Sequence, residues 1–453
     1  MPDLIRVANG QGFWGDSIDA PVNLVHGGPI DYLTLDYLAE VTMSILQRQK
    51  LADATRGYAH DFVSLIDEIL PHMLEKNIRV LANASGVNPA ACLSALKEVI
   101  NRHECDPVRI GIVEGDDLMP QLESLVKDGH RFEHLDTGEP LGERLSKVTV
   151  ANAYISSFPM AEALDRGAHI VLTGRVIDPA LTLAPLVHEF KWSKKDYDLL
   201  AAGTVAGHII ECGAQATGGN TSRWWEVEDC AGIGYPVAEA KADGTFVITK
   251  QEGTGGVVNR ESVTEQILYE LGDPENYISP DVVVDFTSFS LEENGGNRIK
   301  ISGARGKEPT DSYKVSMAYH GGYKATGQLT VSGPRAVEKA EAVADMIWKR
   351  LENAGFSYEE TRTELVGAGA IFEPGKSDPS DLPELNLRLG VRDPDREKVA
   401  RFGKEIAPVV TNGPPGITGY AGGRPKPQEI MAYWPTLIPK DVVDVSVRVE
   451  EVK

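Results

Sequence analysis

A histidine, a carboxylate and a thiol stand within one helical turn at His208, Glu211 and Cys212, and the chain then passes Gly213 into a TGGN run at 217–220. On a helix these side chains occupy positions i, i+3 and i+4 and share one face. The pattern suits a Cys212 thiolate activated by His208. It also suits proton exchange between His208 and Glu211 as general acid and base, and this second chemistry ranks above the thiol. Gln215 and Asn220 are nearby hydrogen-bond donors, and Gly218 and Gly219 would let backbone amides approach a ligand closely. The same residues read equally as a plain helix end, because cysteine is a common small core residue and TGGN is a serviceable turn.

Side chains of this kind need elements that bring them together. Short apolar runs at 4–8, 78–82, 108–113 and 169–172 are each followed by a helix-like segment, which predicts an α/β layer with a mainly parallel sheet. Helical stripes run through Leu35, Leu38, Thr42, Ile45 and Leu46, in a helix opening near Asp31, through 62–73, and over 89–102. Small polar residues follow each strand: Asn9 to Gly12, then Asn83, Ser85 and Gly86, then Glu114 to Asp117, then Thr173, Gly174, Arg175 and Asp178. In an open parallel sheet these exits gather on one edge, where ligands bind. The alternative is that they are only turn and capping residues. Asn9, Gln11, Asn83 and Ser85 are the expected substrate contacts, with Trp14 and Asp16 as a ligand wall. Arg175, with Asp178 three positions on, is the expected anion clamp.

The texture changes beyond Trp224. Residues 225–311 read as a β-rich segment whose GTGG (253–256) and GARG (303–306) loops either cradle an anion or simply turn. Residues 312–453 repeat a β-α-β order twice, closing on a strand at 442–449, which predicts a ferredoxin-like α+β domain. The expected boundaries are therefore 1–224, 225–311 and 312–453. A Gly- and Pro-rich loop at 412–427 is expected to be functional or a partner contact.

Composition narrows the partners. The 453 residues carry 67 acidic and 45 basic side chains, a formal net charge of −22. That disfavours nucleic acid and a polybasic membrane contact, and an anionic ligand requires a local exception. Cys92, Cys105, Cys212 and Cys230 form no CxxC pair, so a reduced, cytoplasmic setting is expected and zinc is not. No leader or membrane-length apolar run is visible, so the mature chain is expected to begin near Met1. No GxGxxG follows the first strand and no P-loop occurs, which argues against ordinary nicotinamide and P-loop enzymes. The HGGP run at 26–29 reads as a backbone nest or a turn before a helix at Asp31. Asp16, Asp116, Asp117 and Asp178 could supply oxygen ligands to Mg²⁺, though as capping acids they commit to no metal site.

GQGFWGD (10–16), GGPIDYLTLDYLAEVTM (27–43), TGRVIDPAL (173–181), GHIIECGAQATGGN (207–220), GTGG (253–256) and VTEQILYELGDP (263–274), in this order, resemble the acyclic terpene utilisation family, the AtuA-like proteins. The resemblance implies a place in bacterial degradation of citronellol and geraniol through branched acyl-CoA esters, with a lyase step on a 3-hydroxy-3-isohexenylglutaryl-CoA type of ester. Coenzyme A would enter as part of the substrate. Some relatives carry an extra C-terminal ferredoxin-fold module; if the activity needs it, a separate small ferredoxin-fold subunit is expected, and a homo-oligomer is expected. A lyase of this kind needs a base for the 3-hydroxyl, a donor at the thioester carbonyl and an acid for the departing enolate. A non-catalytic subunit that binds an acyl ligand and the small partner is the competing reading.

Overall fold

The computed structural model describes residues 2–103, 105–371, 382–419 and 423–453. In chain order the first elements are β1 (Ile5–Gln11), α1 (Asp19–Gly27), β2 (Tyr32–Leu35), α2 (Glu40–Ala52), α3 (His60–Glu75), β3 (Arg79–Ala82), α4 (Pro89–Arg102), β4 (Val108–Glu114), α5 (Leu122–Lys127), β5 (Val148–Ala153), α6 (Phe158–Asp165), β6 (Ile170–Thr173), α7 (Ala180–Phe190) and α8 (Tyr197–Ile210). Then come β7 (Pro236–Ala240), β8 (Phe246–Lys250), α9 (Arg260–Leu268), β9 (Tyr277–Ile278), β10 (Val283–Asp285), β11 (Ser290–Glu293), β12 (Ile299–Ser302), β13 (Arg305–Lys307) and β14 (Ser312–Ser332). The chain closes with α10 (Ala336–Asn353), β15 (Glu360–Val366), β16 (Glu384–Asp393), α11 (Arg396–Ile406), α12 (Val409–Asn412), β17 (Ile417–Gly419), β18 (Gln428–Pro439) and β19 (Ser446–Val452).

Local chemistry explains the clearest elements. Asn88 caps α4 by accepting from the Ala91 amide, Pro89 sits in the first turn where its missing N–H costs nothing, and Cys92, Leu93, Leu96, Val99 and Ile100 form the buried face. The strands β3, β4 and β6 are short, apolar and almost wholly buried, as parallel strands covered on both faces should be.

Two compact units result, one of residues 1–318 and 433–453 and one of 319–432. In the first, β1, β2, β3, β6 and β4 lie side by side and parallel, and antiparallel strands extend the sheet at both ends. The full order is β11-β12-β8-β7-β1-β2-β3-β6-β4-β19. In the second unit, β15, β16, β14 and β17 are neighbours, and these three pairings are antiparallel. Its core gathers apolar side chains of α10 and α11 with those of β14 and β16, Ile347, Phe402, Leu387 and Leu329 among them.

Several expectations change. No helix opens at Asp31: residues 32–35 are the parallel strand β2, and the helix starts at Glu40. All four β2 residues are buried, so they read as part of the apolar stripe that continues into α2. The HGGP run is the end of α1 and the turn into β2, not a free-standing nest. In residues 225–311, which are β-rich as expected, β7, β8, β11 and β12 continue the main sheet and β9, β10 and β13 form a three-stranded sheet. The closing strand expected at 442–449 is β19, and it pairs with β4, because its apolar residues complete the edge of the first sheet. Within the loop at 412–427, Ile417–Gly419 pairs with β14, and residues 420–422 lie outside the described residues.

Helix α8 can approach the start of α7 only because residue 207 is glycine. A Cβ there would fall 2.6 Å from the Pro179 carbonyl oxygen. This contact sets Asp178 and Glu211 near one another. Gly207→Ala should therefore lower unfolding free energy by about 1–3 kcal/mol in urea titrations, and a loss below about 0.5 kcal/mol would show that the two helices are not closely packed.

Candidate functional site

Parallel strands deliver their exits to one edge, and the chemistry-bearing residues assemble there. Arg175, two residues past β6, is 2 % exposed. Its backbone amide donates to Asp116 Oδ2 at 2.7 Å, its guanidinium donates to the Leu38 carbonyl and to Asp178 Oδ1 at 2.7 Å, and it lies 4.2 Å from the centre of the Tyr154 ring. Asn83, at the β3 exit, donates to Asp36 Oδ1 at 2.6 Å and accepts from the Tyr37 amide at 2.7 Å. Burial pushes the Asp36 carboxyl well up, with the Asp178 charge adding to the effect and Arg175 opposing it. Asp178 is likewise raised by burial against the pull of Arg175. Glu40 moves the other way: burial is outweighed by Arg175 and by the Tyr154 hydroxyl, and its pKa falls. Asp178 keeps 34 % of its side chain exposed and Glu40 37 %, so these two carboxyls of the cluster reach solvent.

The His208–Glu211 pair adjoins this cluster. His208 is buried at the end of α8, its ring edge-on to Tyr277 and Phe286 at 5.6 and 5.2 Å. Nε2 lies 3.2 Å from the Ile267 carbonyl, which requires N–H at that nitrogen. Nδ1 then faces Glu211 Oε1 at 3.2 Å, within ion-pair range but off the line of a good hydrogen bond. Burial opposes the imidazolium, yet Glu211 and the Ile267 carbonyl together hold the His208 pKa above its ordinary value. Burial raises Glu211 to about 7 although His208 pulls it down, and the charges of Asp178 and Glu270 push with burial. One proton is thus shared by the pair near neutral pH. Asn9 donates to the Glu211 carbonyl at 3.4 Å, and Gly12 leaves no room for a Cβ, which would sit 2.8 Å from the Cys212 carbonyl carbon. These contacts tie the β1 exit to the end of α8.

Several buried polar atoms in this region have no hydrogen-bond partner, Glu211 Oε2, His208 Nδ1, Arg175 Nε, Ser85 Oγ and Thr173 Oγ1 among them. Such groups cost about 1–3 kcal/mol each when left unmet. Surface cavities of about 610 and 560 Å³ open elsewhere, so the residues converge without lining either of them.

The remaining candidates fall into place by what they bind. Asn9 Oδ1 accepts from the Gln11 amide at 3.0 Å and Gln11 Nε2 donates to the Phe13 carbonyl at 2.8 Å, so both shape the β1 exit loop. Trp14 donates to Asp61 Oδ2 at 2.8 Å and rests against His60 on α3. Asp16 accepts from the Gly12 and Ser17 amides and from the Tyr235 hydroxyl. The Gly218 and Gly219 amides donate to the Gln215 and Ala214 carbonyls at 3.3 and 2.8 Å, so they are closed into a turn and not offered to a ligand. Gln215 lies in the short 3-10 turn before them, and Asn220 continues the turn at φ +56°. Cys212 is pushed up by burial first and by Glu211 second, which leaves a neutral thiol at physiological pH and removes it as an activated nucleophile. Asp116 and Asp117 hold the Arg175 and Met119 amides, and among the described residues no three His, Cys, Asp or Glu side chains converge as a metal cage. Asp16, Asp116, Asp117 and Asp178 therefore do not fit a Mg²⁺ site.

The model of the family described as "Acyclic terpene utilisation family protein AtuA" matches residues 5–449. The chain belongs to this family. Membership points to a role in acyclic terpene utilisation. Comparisons with curated proteins and with solved structures gave no match. The motifs that carry membership supply Arg175, Asp178, His208, Glu211 and, in 27–43, Asp36 and Glu40. These last two escaped sequence reading because β2 did; once 32–35 is a strand, Asp36 is simply another polar strand exit. Tyr154, Tyr277 and Phe286 have no such signal, since aromatic residues at those positions look like any core.

Two consequences are measurable. Both Glu211 and His208 hold protons more tightly in the folded chain, so their contribution to stability is complete below about pH 4.5 and is lost as pH rises through about 7. Glu211→Gln should flatten the decline of unfolding free energy between pH 5 and 8, by at most about 1.4 kcal/mol per pH unit; an unchanged slope would mean that Glu211 ionises like a surface carboxylate. Cys212 should also resist iodoacetamide at pH 8 while the exposed Cys230 reacts, with peptide mapping as the readout and rapid Cys212 labelling as the contrary result.

Proposed function

We propose that this chain is a cytoplasmic catabolic enzyme of acyclic terpene utilisation that performs lyase or hydratase chemistry on a branched acyl-CoA or related small carboxylic substrate at the strand-exit edge. Glu211 Oε2 carries the reading. It is a buried, unpartnered acceptor on a carboxyl that shares a proton with His208 near neutral pH, and a substrate hydroxyl would supply the missing donor. Among the described residues no helix is long and apolar enough to cross a membrane.

In a retro-aldol cleavage, the Glu211 carboxylate takes the proton of the 3-hydroxyl as the bond between C2 and C3 breaks. The C–O bond becomes a carbonyl, and the electron pair of the broken bond passes to the thioester enolate. A protonated Asp178 then returns a proton to the enolate carbon. In a hydratase step, Glu211 takes the proton from C2 while a protonated carboxyl releases the 3-hydroxyl as water. Arg175, fixed by Leu38 and Asp178, retains Nε for a substrate carbonyl or carboxylate. His208 positions Glu211 and exchanges its proton. The strand order of residues 319–432, a β-α-β-β-α-β sequence with β14 between β17 and β16, supports a ferredoxin-like reading of that unit. Assembly as a homo-oligomer and with a separate small ferredoxin-fold subunit belongs to the same proposal.

Turnover of a panel of branched 3-hydroxyacyl-CoA esters, with and without the small partner, tests it. Glu211→Gln should lower kcat by about 10²- to 10⁴-fold and abolish the rising limb of the pH–rate profile near 7. Turnover untouched by Glu211→Gln would remove the acid–base role, and a complex that forms but never turns over would favour the non-catalytic acyl-binding subunit.

A further inference from the structure

Away from the strand exits, a groove of about 560 Å³ opens beside the end of α1, over β1, β7 and β8, and its lining includes Arg6, Gly28, Glu239, Lys250, Gly253 and Arg298. Its volume is in the range of small-molecule sites, about 300–1,000 Å³. Arg6 on β1 lies directly across from Glu239 on β7. Arg6 Nε reaches Glu239 Oε1 at 3.4 Å, and Arg298 Nη2 reaches the other oxygen of the same carboxylate at 2.5 Å. Two guanidinium groups therefore share one counter-charge.

Lys250 adds a third cation. It is 9 % exposed, and its ammonium donates to the Thr254 carbonyl at 2.6 Å and lies 3.4 Å from the Thr254 hydroxyl, both uncharged partners. Burial alone shifts its pKa, downward, with no carboxylate contributing. A buried ammonium without a counter-ion is costly. The lining also holds Glu252, which is exposed. Counting Arg6, Lys250 and Arg298 against Glu239 and Glu252, the lining carries one net positive charge in a chain of net charge −22. The GTGG loop supplies Gly253 to the rim and Thr254 to hold Lys250, and Gln251 fixes the facing rim by donating to the Asn23 and Leu24 carbonyls at 3.1 and 3.0 Å.

We propose that this groove binds a phosphate-bearing small anion, with Arg6, Arg298 and Lys250 as its ligands. Three cations on separate strands and strand ends suit a tetrahedral, multiply charged group better than a flat monocarboxylate. The site is independent of the Glu211 chemistry and holds whether or not that reading survives.

Isothermal titration of the full chain with sodium pyrophosphate at low ionic strength tests the site, with succinate as the carboxylate control. Saturable pyrophosphate binding at least roughly tenfold tighter than succinate is expected, and Arg6→Gln and Arg298→Gln should each weaken it by about tenfold or more. Arg298 is partly exposed and outside the core, so its variant keeps the test open if Lys250→Gln fails to fold. Absence of saturable binding at millimolar pyrophosphate, succinate binding as tight or tighter, or full affinity in both arginine variants would overturn the proposal.

Discussion

The buried guanidinium of Arg175 is the constraint around which the candidate site is arranged. A charge that is 2 % exposed must be balanced where it stands, and Arg175 draws its partners from separate elements. Asp178 follows it toward α7, Leu38 and Glu40 come from the β2 exit and α2, and Tyr154 follows β5. Asp116, at the exit of β4, fixes the Arg175 backbone. Removing one partner of a buried, hydrogen-bonded charge typically costs about 3–5 kcal/mol. The parallel strands alone would align the exits only loosely; the arginine fixes them to each other.

That constraint also divides the acids by task. Glu40 is held ionised by Arg175 and Tyr154 and serves as the fixed counter-charge. Burial raises the Asp36 and Asp178 carboxyls against the pull of Arg175. Glu211 lies at the far side, close enough to feel Asp178 yet balanced by His208, and titrates near neutral pH. Pairs of acids driven apart in this way are the usual means of having a proton donor and a proton acceptor in one site at one pH. The His208 ring has its Nε2 engaged by the Ile267 carbonyl and makes edge contacts with Tyr277 and Phe286, which leaves Nδ1 facing Glu211.

Much of this was legible in the sequence, and the failures have physical causes. The α4 boundaries follow from a side-chain cap, a first-turn proline and a regular apolar face, all local signals. The pairing of His208 with Glu211 follows from helical spacing even though the helix proper ends at Ile210. β2 was hidden because four residues buried on both sides carry no alternation. The third case is topological: the chain leaves the first unit within β14, builds residues 319–432, and returns within β18 to finish the first sheet with β19. A reading that follows chain order assigns that last strand to the nearest preceding domain. Nothing local in SVRVEEV reveals that its partner is β4, more than 300 residues earlier.

Net charge does not determine local ligand chemistry. A value of −22 describes how the chain meets bulk solution, where charges more than about 8 Å apart are screened at physiological salt. Inside a concave site only the few charges that line it matter, since low-dielectric walls strengthen them and hide the remainder. Arg175 and Lys250 illustrate the two outcomes. Arg175 is surrounded by its own carboxylates, so it cannot attract an anion as strongly as its position suggests, and its value to a substrate lies in a directed Nε donor. Lys250 is buried against neutral oxygens beside two arginines that share one glutamate, so its charge remains available to the groove. The acidic site and the basic groove coexist on one sheet because each is governed by its own local balance.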